Sequence, residues 1–174
     1  MPTDNTFVQI GSTVTVGAGG AASIEFTSIP ATYTDLTIQC SLRGNRTASE
    51  NQAAAIEFNS STSNLSAKWI RLLENGLGGN SEASSIPFGV PGAANTASIF
   101  NSTGIYIPNY AGSTYKSVSI ESLSENNGTN VFSYMTGGLW SNTAAITSVK
   151  IIAQNAGTSF VQYSTASLYG ILKY

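Results

Sequence analysis

Residues 137–174 read GGLWSNTAAITSVKIIAQNAGTSFVQYSTASLYGILKY. Two runs in this stretch, 146–152 and 160–171, alternate apolar with small polar residues on either side of Gln154-Asn155-Ala156-Gly157-Thr158, a turn-forming segment. A strand sends successive side chains to opposite faces, so a period of two marks one dry face and one wet face. The reading that follows is all-β, and no side chain here has the pattern of a nucleophile, a base or a metal ligand.

Working outward, the same pattern returns along the chain. Residues 6–16 alternate and are rich in β-branched side chains, and Gly17-Ala18-Gly19-Gly20 breaks the run. Residues 23–26 make a short strand ended by Ile29-Pro30. In 34–42, Leu36, Ile38, Cys40 and Leu42 share one face, which predicts Cys40 as a small core residue. Further strands are predicted over 53–58, 68–73, 115–123 and 131–140, with Ile105-Tyr106-Ile107 inside a stretch at 97–108. Residues 86–91 are extended, but Pro87 and Pro91 confine them to a sheet edge. Asn127-Gly128 signals a tight hairpin, whereas 43–52, 59–66 and the Gly- and Ser-rich 75–85 read as loops.

No segment keeps a helical period, and no fixed-length repeat is present. About ten short strands separated by Gly, Asn and Ser turns predict an antiparallel β-sandwich. At 174 residues one domain is expected. Residues 1–20 form an N-terminal arm or first strands, and 21–174 form the sandwich. Leu36, Ile38, Trp140, Ile146 and Tyr169 are its expected core.

The composition narrows the function classes. Charged residues make up only 9% of the chain, against roughly a quarter in ordinary soluble domains, while hydrophobic residues make up 41%. The surface is therefore neutral and rich in Ser, Thr, Asn and Gly. A net charge of −2 with scattered Lys and Arg gives no attraction for nucleic acid or anionic membrane. No apolar run approaches the ~20 residues of a membrane helix. Residues 1–6 lack the features of a signal peptide, so synthesis in the cytoplasm is expected.

There is no histidine, which removes the commonest general base and metal ligand, and the single cysteine forms no intrachain disulfide. The nine carboxylates show no spacing that selects a catalytic pair, and Glu125-Asn126-Asn127 is better explained as a turn than as a calcium loop. The glycine-rich 17–20 lacks the Lys-Ser/Thr ending of a phosphate loop. Five Asn-x-Ser/Thr matches, at Asn45, Asn59, Asn64, Asn101 and Asn127, are chance matches in so Asn- and Ser-rich a chain. No enzyme activity and no cofactor are expected.

Five phrases remain: SIPATYTDL at 28–36, IYIPNY at 105–110, YKSV at 115–118, GLWSNTAAITSV at 138–149, and FVQYS with ASLYGI between 160 and 171. Together they resemble a family of small tailed-phage virion β-sandwich proteins, found as capsid decoration (cement) proteins and as tail or fibre components. The resemblance implies a jelly-roll-like sandwich without a catalytic motif. It further implies a place on the outer surface of a phage head, with the major capsid protein and further copies of the chain, as a homotrimer, for partners. The segment ahead of the family-like body supplies the expected contacts, at Pro2, Thr6, Phe7, Val8 and Ile10. The alternative is a tail-fibre or head-fibre component that binds host surface glycans through exposed aromatics and the loops at 43–52, 59–66 and 75–85.

Overall fold

Strand-forming alternation is realised throughout the computed structural model, which describes residues 6–73, 76–128 and 131–172. Its elements are β1 (Phe7–Gln9), β2 (Val14–Thr15), β3 (Ser23–Phe26), β4 (Asp35–Ser41) and β5 (Asn51–Phe58). Then come β6 (Leu65–Leu73), β7 (Gly76–Glu82), β8 (Ile86–Pro91) and β9 (Ser102–Ile107). The last are β10 (Lys116–Glu125), β11 (Val131–Trp140), β12 (Val149–Ala153) and β13 (Thr165–Ile171). The described residues contain thirteen strands and no helix.

All strand pairs are antiparallel. A nine-stranded sheet runs in the order β1-β13-β4-β9-β10-β11-β6-β7, with β2 also on β13, and a four-stranded sheet runs β3-β12-β5-β8. From β2 to β6 each connection changes sheet, as do those into and out of β8 and β12. The all-β sandwich is thus present. A jelly roll is an eight-strand pair of Greek keys. A nine-and-four partition with β9, β10 and β11 between β4 and β6 does not confirm that finer connectivity.

β10 displays the physics most plainly. Lys116, Val118, Ile120, Ser122 and Ser124 are buried, and every residue between them is exposed. The inward faces of both sheets meet in one core that includes Leu36, Ile38, Cys40, Leu42, Trp140 and Ile146. Phe58 of the smaller sheet lies against Trp140 of the larger, with ring centroids 5.8 Å apart and planes tilted by 43°, a favoured arrangement for aromatic pairs. The prolines of β8 sit on an edge strand as expected.

Buried polar groups are tied across the layers. Asn101 donates through Nδ2 to Thr103 Oγ1 (2.6 Å) and Ser122 Oγ (2.9 Å), while its Oδ1 accepts the Leu42 N–H at 2.7 Å. Ser122 in turn donates to the Gly89 carbonyl at 2.7 Å, joining β10 to β8. The buried Lys116 ammonium donates to the carbonyls of Gly112 (2.6 Å), Thr114 (2.5 Å) and Thr143 (3.4 Å), and burial lowers its pKa.

Several expectations need correction. Tyr169 is not core. Ala166 and Leu168 are fully buried and Gly170 is buried, so parity along β13 turns the intervening Tyr169 to the outer face, where it is half-buried. Residues 75–85 are not a loop throughout, because 76–82 pair with β6 from Leu73↔Gly76 to Ala67↔Glu82. Backbone hydrogen bonding carries that edge strand where side-chain propensity is poor. The two closing runs become β12 and β13, which lie in different sheets, and Phe160 makes only isolated bridges, to Ala21 and Gly44.

Candidate functional site

Parity and register decide what the uncovered face of the nine-stranded sheet presents to solvent. Ile70 of β6 stands opposite Met135 of β11, which stands opposite Glu121 of β10. In the next outward row Leu72 faces Ser133 and Ser133 faces Leu123, while Leu77 of β7 pairs with Leu72. Ile70, Leu72, Leu77, Leu123 and Met135 are all exposed, Leu77 at 75% and Met135 at 53%. Beside them a shallow groove of about 370 Å³ runs over Gly137 between Lys68, Ile70, Glu121 and Met135.

The opposite side of the same face is built differently. Tyr106 of β9, Thr37 of β4, Tyr169 of β13 and Gln9 of β1 form one row across four strands. Phe7 and Ile171 pair in the adjoining row. Phe7, Thr37, Gln39, Tyr106, Tyr169 and Ile171 line a second groove of about 600 Å³. Tyr106 and Tyr169 are two strands apart, roughly 10 Å at the usual strand spacing, with Thr37 between them. Gln39 Nε2 donates to Thr37 Oγ1 at 3.2 Å.

Asp35 organises the rim of this groove. Its Oδ2 accepts the Tyr106 hydroxyl at 2.8 Å, and its Oδ1 accepts the Asn109 N–H at 2.8 Å. The hydrogen bond to Asp35 raises the Tyr106 pKa, helped by burial and by the carboxylate charge, because a phenolate would face that carboxylate. Tyr106 therefore stays a neutral donor with a fixed ring, and the six side chains that line the groove carry no charge.

Of the expected contact residues, Phe7 projects outward at 58% exposure, Thr6 is exposed and Val8 is half-buried. Ile10 packs against the core and donates its N–H to the Leu168 carbonyl at 2.9 Å. The Thr6 carbonyl accepts the Leu172 N–H at 3.0 Å, so the described part of this segment is held along β13 as the first strands of the larger sheet. Pro2 lies outside the described residues.

The amide-rich loops spend much of their polarity internally. The buried Arg43 donates to the carbonyls of Thr96 (2.7 Å), Ile99 (3.0 Å), Asn95 (2.9 Å) and Ala93 (3.5 Å). Asn59 accepts the N–H groups of Thr147 and Ser148 and donates to the Ala145 carbonyl. Among the described residues no three His, Cys, Asp or Glu side chains gather as a metal-ligand cluster, and no helix is long and apolar enough to cross a membrane. The groove pair Tyr106 and Tyr169 was readable in principle. Each is flanked by inward-facing neighbours, Ile105 and Ile107 in one case, Leu168 and Gly170 in the other. Which strands lie side by side was not readable. Comparisons with protein-family models, with curated proteins and with solved structures find no match for this chain.

Proposed function

We propose that this chain is a viral structural protein, a capsid decoration protein that binds the outside of a phage head and stabilises contacts between capsomers. The observation that carries the reading is the uncovered apolar group Ile70, Leu72, Leu77, Leu123 and Met135 on one side of the larger sheet. Contiguous exposed apolar side chains mark surfaces that meet another macromolecule. A surface in a chain with so few charges buries against a neutral partner with little desolvation cost. The resemblance of the five phrases to those of small phage virion proteins is consistent with the same reading.

The mechanism is mass action. A protein that binds the assembled shell and not its separated parts adds its binding free energy to the assembled state, so the shell comes apart under harsher conditions. Heads prepared with and without the protein, exposed to heat and to low salt, test this. Bare heads are expected to rupture earlier, and full occupancy is expected at the capsomer junctions in particle images. Equal survival, or a position at the tail tip in a few copies, overturns the reading.

A further inference from the structure

We propose that the groove between Tyr106 and Tyr169 is a binding site for a neutral saccharide. A pyranose presents a flat C–H face, which stacks on an aromatic ring, and an equatorial rim of hydroxyls, which needs neutral donors and acceptors. This groove offers both. Phe7 and Tyr106, both exposed, and the half-buried Tyr169 supply apolar walls, and Thr37 with Gln39 supplies a polar floor. Gln39 donates to Thr37, which leaves the Thr37 hydroxyl hydrogen and the Gln39 amide oxygen for ligand hydroxyls.

Charge selects against the other small-ligand classes. No Lys or Arg lines the groove, so a phosphate or carboxylate ligand finds no counter-charge, and the Asp35 carboxylate at its rim is already engaged by the Tyr106 hydroxyl and the Asn109 N–H. A purely hydrocarbon ligand would bury the Thr37 hydroxyl hydrogen and the Gln39 amide oxygen without partners, at a cost. The volume of about 600 Å³ lies within the ~300–1,000 Å³ of small-ligand sites. Gly104, opposite Gln39 in the register, adds no side chain to the floor and leaves that end open for a chain to continue. The Asp35–Tyr106 hydrogen bond fixes one ring before any ligand arrives, which lowers the ordering cost of binding.

The site stands apart from the docking side of the sheet, so the two readings succeed or fail separately. The test is saturation-transfer NMR and calorimetry on the whole chain. The panel holds maltotriose, cellotriose, triacetylchitotriose and a neutral glycan array, with sialyllactose as the anionic control. At least one neutral sugar is expected to bind, with magnetisation reaching its ring protons from aromatic side chains. Tyr169→Ala should weaken binding severalfold, up to about tenfold, through the lost stacking contact. Gln39→Ala, an exposed site remote from the core, should weaken it while leaving the fold intact. Met135→Glu should leave sugar binding unchanged. Failure of the folded protein to bind any neutral sugar, or equal binding by Tyr169→Ala and Gln39→Ala, overturns the proposal.

Discussion

Cys40 points inward from β4, and burial pushes its thiol up from the ordinary 9.0 to about 12. The folded state thus favours the neutral thiol. Its contribution is fully present below about pH 9 and is lost as pH rises towards 12, with an upper bound of about 4 kcal/mol for the shift. Cys40→Ala is expected to be less stable than the parent at pH 8, with the gap narrowing by pH 11, as read from urea midpoints. Ellman's reagent should label the parent only on unfolding. Alternation alone placed this thiol in the core. Tyr163 is the opposite case: it is 68% exposed and held at φ 71°, a left-handed conformation that bulky side chains rarely adopt. Its N–H donates to the Val16 carbonyl at 3.0 Å, a long-range contact that no local pattern announces. Tyr163→Asn, better suited to that conformation, should raise stability by about 1 kcal/mol in a denaturant titration.

At the scale of the strand, two glycines act as spacers. A Cβ on Gly170 of β13 would come within 2.2–2.5 Å of the Tyr33 ring. One on Gly138 of β11 would meet Ile86 at 2.5 Å and Val118 at 2.7 Å. Gly138 thus lets β8 of the smaller sheet approach β11. Gly170→Ala should cost about 2 kcal/mol through overpacking, and Tyr33→Ala in the same chain should recover part of that loss; a strictly additive double mutant would contradict the contact. Arg43 plays a comparable role between elements, since its four carbonyl partners fix the connection from β8 to β9. Lysine cannot reproduce that planar fork. Arg43→Lys should therefore speed amide exchange over residues 93–99 far more than elsewhere. The strands themselves were legible where apolar and polar residues alternate, as in β10 and β4. β7 was not, because GLGGNSE has no such pattern and its pairing with β6 rests on backbone groups.

For the molecule as a whole, the decisive inequality is nine strands against four. Each sheet turns only one face to the shared core, so the outer face of the wider sheet is the larger uncovered surface, and apolar residues on its outward parity stay exposed. That consequence was hidden in the sequence, since Leu123 and Met135 look like core residues until the register sets them opposite Ser133 and Glu121. If this face docks on a neutral shell, the contact should behave as an apolar one. Leu123→Glu with Met135→Glu is expected to remove the protein from heads, while the thermal midpoint of the free protein stays nearly unchanged, because exposed positions cost only about 0.5 kcal/mol or less. Occupancy on heads should hold steady as sodium chloride rises, since few charges are available to screen. Sulfate should strengthen it by favouring apolar burial. Occupancy that falls steeply with sodium chloride would instead place the contact on charged groups such as Lys68 and Glu121 at the adjoining groove, and would remove the apolar face from the mechanism.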